Sequence, residues 1–347
     1  MEAPADPSPP PAGKGLAPPL PGLLAGFDAG QTHTTCRLAA GRGGPPLAQG
    51  EGPGVRHLAA PGGAEAFQEA LRRSLAAARH HLPADLRERP LLAAVVGASG
   101  IEAGSPVAEQ GNALAARVLG LPAERVGVSG DERTALTGAF GGGAGIVVIS
   151  GTGTIAVGSD GRGRLHRCAG WGWLLDEAGS AMDIGRDALA LSLRMADGRV
   201  AATELQPRIW RALGLAITDA GAPQRIKAMV VEAGFGAAGF ARLAPVVAEL
   251  AGSEDPHAAA ILLRHAEALA AMAAAVAEQL QLEAPAICAM GGALEHLGML
   301  RRLFADSLSV RLPGHRLVRP CGDACDGALQ GAATLLDAAE GVAIRPG

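Results

Sequence analysis

Short, wholly apolar runs alternate along the chain with longer segments whose apolar residues recur every three or four positions. The apolar runs have the length of buried strands and lie at residues 23–27, 91–96, 146–149 and 286–290. Helical spacing occurs at 64–81, 108–119, 131–140, 180–195, 205–213, 240–251 and 256–282, from Glu295 onward, and at 325–338. Further strands are predicted at 35–40, 47–50, 125–129, 155–158 and 316–319. Strands that alternate with helices predict an α/β fold.

A strand, a turn rich in glycine and threonine, and a return strand occur twice, about 120 residues apart. The first turn covers residues 28–34 and the second covers residues 150–154. This repeat predicts a duplicated architecture in which each half presents one turn to a shared cleft.

The length of 347 residues is about twice that of a typical domain, which also favours two lobes. We place an N-terminal lobe at 23–129 and a C-terminal lobe with helical insertions at 130–338. The C-terminal helix of this second lobe could pack back on the first lobe. Residues 1–22, rich in proline and alanine, are predicted to be a disordered tail, and 339–347 a flexible tail.

Composition excludes several classes of protein. The formal charge is −4 with no basic stripe, and tyrosine is absent, so neither the charge nor the stacking surface of a nucleic-acid-binding protein is present. The apolar runs are too short for a transmembrane helix, and the N-terminus lacks a signal-peptide pattern. Five cysteines without a Cys-x-x-Cys pair argue against a disulfide framework or a zinc site. We therefore expect a cytoplasmic protein that binds neither membrane nor nucleic acid.

The first turn combines residues that suit a phosphate group. Gly30 has no Cβ, so backbone N–H groups can approach a phosphate closely, and Thr32 adds a hydroxyl donor. The carboxylate of Asp28 could hold Mg²⁺ directly or through water. An ordinary hairpin with capping Asp and Thr side chains explains this turn equally well.

The second turn has the same chemistry without the carboxylate, in Gly151, Thr152, Gly153 and Thr154. Two such turns at matching positions favour a two-sided phosphate clamp over coincidental hairpins. No P-loop motif is present, and no Gly-x-Gly-x-x-Gly opens a helix after the first strand.

At this point the chain resembles a known family. The segment 145–153, followed by Gly170-Trp-Gly172 and Gly179-Ser-Ala181, is similar to the BadF/BadG/BcrA/BcrD-type ATPases, in particular their N-acetylglucosamine kinase-like branch of the actin/hexokinase/Hsp70 superfamily. The resemblance runs from about residue 23 to 338. It implies two RNase H-like, actin-like ATPase lobes with a nucleotide cleft between them, closing over ATP and Mg²⁺.

The same resemblance implies which residues bind the nucleotide. Both turns become phosphate loops, and Gly291 and Gly292 become a glycine pair on the nucleotide side. Gln31 and His33 depart from the family, which usually has glycine and lysine there. A neutral His33 would hold phosphate less strongly than lysine, and it could equally be a surface residue of the hairpin.

Asp131 follows a predicted strand and starts a predicted helix. Such a carboxylate could accept the proton of a substrate hydroxyl while the oxygen of that hydroxyl attacks the γ-phosphorus. The residues alone favour a helix N-cap. The resemblance reverses that preference and implies that Asp131 is the catalytic base.

A substrate site is also implied by the resemblance, through Ser99, Gly100, Thr152, Cys168, Gly170, Trp171 and Ala181. Glu177 takes the place of the family's sugar-binding aspartate, with Asp176 as second candidate. Arg56 stands where the family has asparagine; it could favour an anionic sugar or point into solvent. Trp173 is expected to pack in the core.

We therefore expect an ATP-dependent kinase that phosphorylates a hydroxyl of an amino sugar, N-acetylglucosamine or glucosamine, and the resemblance implies a homodimer. A first alternative is an ATPase activator of a partner enzyme, like the activators of 2-hydroxyacyl-CoA dehydratases, which needs thiolate ligands for an iron–sulfur cluster. Cys321 and Cys325 do not obviously match that role. A second alternative is a sugar or nucleotide sensor without catalysis, suggested by the departures at Gln31, His33 and Arg56.

Overall fold

Two five-stranded sheets organise the chain, and the computed structural model describes residues 22–41 and 44–341. Most of the two predicted tails, residues 1–21 and 342–347, lies outside the described residues. The strands are β1 Leu23–Ala29, β2 His33–Ala40, β3 Pro46–Pro53, β4 Leu91–Ala98, β5 Val126–Ser129, β6 Gly145–Ser150, β7 Thr154–Ser159, β8 Leu165–Ala169, β9 Ala286–Met290 and β10 Arg316–Leu317. The helices are α1 Gly63–His80, α2 Pro106–Leu119, α3 Asp131–Phe140, α4 Ala181–Ala196, α5 Leu205–Ala212, α6 Ala222–Met229, α7 Gly236–Ala241, α8 Ala244–Gly252, α9 Pro256–Leu280, α10 Gly292–His296, α11 Gly298–Arg311 and α12 Ala324–Ala339.

The two sheets share one topology. The first has the order β3-β2-β1-β4-β5, in which β2 pairs antiparallel with both neighbours and β4 pairs parallel with both of its own. The second, β8-β7-β6-β9-β10, repeats this order and these directions. The predicted α/β class with two similar lobes is confirmed.

Strand register brings the predicted turns to the sheet edges where the chemistry lies. Asp28 at the end of β1 pairs with Gly97 of β4, and Gly97 pairs with Ser129 of β5. In the second sheet, Ser150 and Thr154 close the β6–β7 hairpin. The carboxyl ends of parallel strands meet at one edge of a sheet, so the loops that follow these strands lie side by side.

Each sheet has its own apolar core. Phe27 and Phe67 are buried between the first sheet and its helices, and Trp210 and Phe304 between the second sheet and helices α4–α11. The last helix, α12, packs on the opposite face of the first sheet, where Leu329 and Leu336 contact residues of β1 and β4. The division between lobes near residue 129 stays our proposal, since the two sheets fall on either side of it.

Several helices differ from the sequence prediction. The helix expected at 240–251 is divided into α7 and α8, because Pro245, which has no N–H to donate, lies in the first turn of a new helix. The helix expected from Glu295 is likewise two helices, α10 and α11, divided at Leu297. Strand β8 and helix α6 were not predicted. By contrast, α3 and β9 have the predicted bounds.

Among the described residues, one helix, α9, is long and apolar enough to cross a membrane by length and composition. Half of its most apolar window is buried inside the protein, where α9 packs against α8, α11 and β7. This burial is typical of a core helix.

Candidate functional site

A cavity of about 830 Å³ lies between the two lobes, and both of them line it. Twelve of the predicted site residues form part of its wall: Asp28, Ser99, Gly100, Asp131, Gly151, Thr152, Gly153, Thr154, Gly170, Trp171, Glu177 and Gly291. The structure therefore brings together the end of β1, the loop after β4, the start of α3 and the β6–β7 turn. Of the first predicted turn, residues 28–34, only Asp28 belongs to the wall.

Eight predicted site residues are not part of this wall: Gly30, Gln31, Thr32, His33, Arg56, Cys168, Ala181 and Gly292. The first turn is a tight hairpin in which the Gly30 N–H donates to the His33 carbonyl at 3.1 Å, and Gln31, Thr32 and His33 are exposed. Arg56 is exposed, and its neighbour His57 reaches the cavity. The roles of these residues stay predictions. The expectation that Trp173 packs in the core is wrong, because 41% of its surface is exposed.

The turn between β6 and β7, residues 150–154, is open toward the cavity. A Cβ added at Gly151 would meet no atom within 4 Å, so a ligand can approach this backbone closely. Gly291 supports the turn from behind: its φ is +90°, and a Cβ there would lie 2.5 Å from the Ser150 carbonyl oxygen. The glycine at 291 therefore permits close packing, whereas the glycine at 151 leaves space.

Glu177 is buried and faces this turn. Its carboxylate accepts hydrogen bonds from the backbone N–H and the hydroxyl of Thr154. Burial raises the pKa of Glu177, and the two bonds from Thr154 oppose that rise. The Ser150 hydroxyl donates to the Gly179 carbonyl at 2.6 Å, so segment 177–179 and the turn are joined at two points.

Behind that segment lies a histidine that the sequence analysis missed. His265 of α9 is 2% exposed; its Nδ1 accepts a hydrogen bond from the Gly179 N–H at 2.9 Å, and its Nε2 lies 3.1 Å from Asp187 Oδ2. Nδ1 accepts, so Nε2 carries the proton and donates it to Asp187. Burial raises the pKa of Asp187, but hydrogen bonds from His265 and Arg264 outweigh it and lower this pKa to about 2. The ionised Asp187 thus fixes the histidine tautomer.

The charges of two other carboxylates act on Asp28 at the cavity wall. The pKa of Asp28 is raised by burial and by the negative charges of Asp131 and Asp323, while His33 lowers it. Asp323, also missed from sequence, lines the cavity, precedes α12 and pairs with Arg37. Carboxylate oxygens are ligands that Mg²⁺ prefers, but the described residues contain no cluster of three or more side chains that could hold a metal ion by themselves. A magnesium ion at Asp28 would therefore need phosphate oxygens as further ligands.

Asp131 is the first residue of α3, and the N-cap position belongs to Gly130. The N-cap alternative for Asp131 is therefore wrong. Burial raises the pKa of Asp131, and backbone hydrogen bonds partly oppose the rise. A half-buried carboxylate at a cavity wall, without a capping role, is suited to accept a proton from a bound hydroxyl.

An ion pair that was not predicted from the sequence joins the two sides of the cavity. Arg167 of β8 forms an ion pair with Glu102, which lies in the loop after β4 in the other lobe. The guanidinium carbon of Arg167 is 5.0 Å from the ring centroid of Trp171. Within residues 22–41 and 44–341, Arg167 is the sole lysine or arginine of the cavity wall.

Comparison with known proteins places these features in a family context. A model of the BadF/BadG/BcrA/BcrD ATPase family matches residues 25–332. A protein of Chromobacterium violaceum that has been assigned as an N-acetylglucosamine kinase is 29% identical in sequence; the structural match covers 90% of this chain and 98% of that one with a TM-score of 0.69.

Two further comparisons are narrower. An N-acetylmuramic acid/N-acetylglucosamine kinase of Clostridium acetobutylicum is 40% identical over 79 residues, which are 23% of this chain and 26% of that protein. The match thus spans about a quarter of that curated relative. A ROK family glucokinase of Streptomyces griseus, in complex with glucose and AMPPNP, is 19% identical, and the match covers 90% of this chain and 99% of that one with a TM-score of 0.52; it shows the fold.

Proposed function

The chain belongs to the BadF/BadG/BcrA/BcrD ATPase family, and on that premise we propose that it is an ATP-dependent kinase that phosphorylates a hydroxyl of an amino sugar. The observation that carries the proposal is the position of Asp131, whose carboxylate shares one cavity with the 150–154 turn. The relative from C. violaceum is assigned as an N-acetylglucosamine kinase, which supports N-acetylglucosamine or glucosamine as acceptor.

The phosphates of ATP would lie between the ends of β1 and β6. The open backbone at Gly151 would bind them, and Asp28, with Asp323 in the same cavity wall, would hold Mg²⁺. When bound, Mg²⁺ would neutralise charge on the transferring phosphate. The remaining roles belong to residues of the chain itself.

Asp131 would accept the proton of the acceptor hydroxyl as its oxygen attacks the γ-phosphorus, giving ADP and a sugar phosphate. Its raised pKa makes it a better base than an exposed aspartate. Closure of the lobes over the cavity would exclude water and so limit ATP hydrolysis.

The sugar would lie against Ser99, Glu177 and Trp171. Trp171 is 60% exposed beside the cavity and offers a ring face to a sugar ring. Glu177 would accept a hydrogen bond from a sugar hydroxyl with lone pairs that Thr154 leaves available. These contacts orient the attacking hydroxyl toward Asp131.

The proposal is tested by ADP release with N-acetylglucosamine, glucosamine, glucose and no sugar, for the wild-type protein and Asp131→Asn. Asp306→Asn, an exposed aspartate of α11, is the matched control. We expect release that depends on an amino sugar and is lost in Asp131→Asn alone. ADP release that is independent of sugar, or full activity of Asp131→Asn, would refute the proposal.

The two alternative functions have no specific observation in their favour within the described residues. A homodimer and a cytoplasmic location remain predictions.

A further inference from the structure

We propose that Arg167 selects amino sugars that carry a carboxylate substituent, and that Glu102 occupies the carboxylate position until such a sugar binds. The inference rests on the proposed kinase function and names a substrate class for the same site. It assigns to Arg167 and Glu102 a specificity role that the sequence analysis had considered only for Arg56.

The position of Arg167 separates it from the phosphate side of the cavity. Its charge lowers the pKa of Glu132, the neighbour of Asp131, against the stronger effect of burial. The pKa of Asp28, by contrast, is raised by burial and by the charges of Asp131 and Asp323, and it is lowered by His33. Arg167 and Glu132 also line a smaller cavity with Trp171, and neither Asp28 nor Asp323 is part of that wall. Arg167 therefore lies apart from the carboxylates that suit Mg²⁺, on the side where the acceptor would be bound.

The two members of the ion pair differ in how firmly they are held. The Arg167 side chain is 24% exposed, projects from β8 and lies over the ring of Trp171. The Glu102 side chain is 61% exposed and lies in a loop between two glycines of positive φ, Gly100 and Gly104. Glu102 is thus the partner that can leave.

A substrate carboxylate can displace Glu102 from Arg167 at little cost in free energy. An ion pair with a solvent-exposed carboxylate contributes little to stability, because water competes for both groups. A guanidinium can bind the carboxylate of a bound sugar through two parallel hydrogen bonds. A neutral sugar would leave the pair intact, so neutral amino sugars remain substrates.

The rest of the wall makes this site selective. The cavity is lined by the carboxylates Asp28, Glu102, Asp131, Glu132, Glu177 and Asp323. An acidic substituent directed at any of these would be repelled, whereas at Arg167 it meets the one cation found in the described wall. Acidic sugars are therefore accepted in a single orientation, with the acid turned away from Asp28.

The test compares kcat/KM for N-acetylglucosamine with that for N-acetylmuramic acid, the same sugar with a lactyl ether carboxylate, at saturating Mg²⁺·ATP. The variants are Arg167→Gln, Arg167→Lys and Glu102→Gln, and the control is Arg162→Gln, an exposed arginine of the β7–β8 turn. We expect Arg167→Gln to lower the ratio of kcat/KM for the acidic sugar to that for the neutral sugar about 30-fold or more, mainly through KM for the acidic sugar.

The other variants sharpen the result. Glu102→Gln frees the guanidinium and should raise kcat/KM for the acidic sugar about 3-fold or more. Arg167→Lys keeps the charge without the planar pair of donors and should give an intermediate loss. Thermal unfolding of each variant confirms that it is folded.

Failure of this inference is distinguishable from failure of the proposed function. Turnover of the neutral sugar without the acidic one, or an equal loss for both sugars in Arg167→Gln, overturns the inference and leaves the kinase intact. ADP release without any sugar dependence overturns the kinase proposal. In that case calorimetric titration with both sugars decides the inference: a preference for the acidic sugar that Arg167→Gln abolishes supports it, and equal or absent binding overturns it.

Discussion

The backbone N–H of Gly179 donates a hydrogen bond to Nδ1 of His265 at a distance of 2.9 Å. The carbonyl of the same glycine accepts from the Ser150 hydroxyl, so one residue links helix α9 to the 150–154 turn. His265 is not part of the cavity wall, yet it holds the segment that carries Glu177 through its hydrogen bond with Gly179.

We therefore predict that His265→Ala lowers kcat about 10-fold, because the turn is less well positioned, with a smaller change in KM for sugar. Stability should fall by about 2 kcal/mol, because the Gly179 N–H is left without its acceptor. His265→Gln should recover much of the loss, since an amide can accept from Gly179 and donate to Asp187. Steady-state kinetics check this, with exposed His80→Ala as control; equal defects in the Ala and Gln variants would contradict it.

Asp131 combines a catalytic role with a cost in stability. Asp131→Asn should lower kcat/KM about 10³-fold, because the base is lost. It should also raise the melting temperature by about 2 °C, because burial disfavours the ionised carboxylate and the amide has no charge to bury. Activity and thermal unfolding are measured on the same preparations, with Asp306→Asn as control. A lower melting temperature would contradict this view of the buried charge.

Stability should depend on pH in opposite directions at Asp131 and Asp187. The folded-state pKa of Asp131 lies above the ordinary value of 3.8, so its contribution is favourable below 3.8 and is lost as pH rises through the raised pKa. The folded-state pKa of Asp187 is about 2, so its contribution is present above 3.8 and is lost as pH falls toward 2.

Denaturant unfolding of Asp131→Asn, Asp187→Asn and the wild-type protein between pH 3 and 7 tests these signs. At pH 7 we expect Asp131→Asn to be more stable and Asp187→Asn less stable than wild type. Both differences should shrink at the acidic end of the range. The kcat/KM of the wild type should fall with decreasing pH as Asp131 becomes protonated. Parallel pH profiles for the two variants would show that burial and pairing do not set these pKa values.

Magnesium binding should depend on Asp28. Asp28→Asn removes the carboxylate of the cavity wall that would hold Mg²⁺, so the Mg²⁺ concentration for half-maximal activity should rise about 10-fold or more. Without Mg²⁺ the same variant should be slightly more stable, because the burial of a charge and the repulsion from Asp131 and Asp323, which together raise the pKa of Asp28, are removed. An unchanged Mg²⁺ requirement would assign the ion to other ligands.

The sequence alone predicts the position of site residues that directly follow a recognisable strand. Asp28, Asp131 and the 150–154 turn follow apolar strands directly, and parallel strands end at a common edge, so their meeting at one cavity could be anticipated. The alternation of strands and helices likewise predicted the fold class.

Residues that reach the site through contacts between distant parts of the chain have no recognisable local sequence pattern. Asp323 reaches the cavity because α12 returns to the first sheet, and Arg167 because the unpredicted strand β8 joins the second. His265 lies on an alanine-rich helix, where a single histidine resembles any other polar residue. Arg56 is the cation that the sequence suggests for the sugar site, because it stands where the family has asparagine. In the structure, however, Arg167 and not Arg56 is part of the cavity wall.

Two glycines near the 150–154 turn should respond differently to the same substitution. Gly151→Ala adds a methyl group that contacts no protein atom, so folding should be unchanged while KM for ATP rises about 10-fold, because the methyl occupies phosphate space. Gly291→Ala places Cβ 2.5 Å from the Ser150 carbonyl at a φ of +90°, so it should lower the free energy of unfolding by about 2 kcal/mol or more. Gly252→Ala, at the exposed end of α8 with open space around it, is the control. If Gly151→Ala left KM for ATP unchanged, the phosphates would have to lie elsewhere than at this turn.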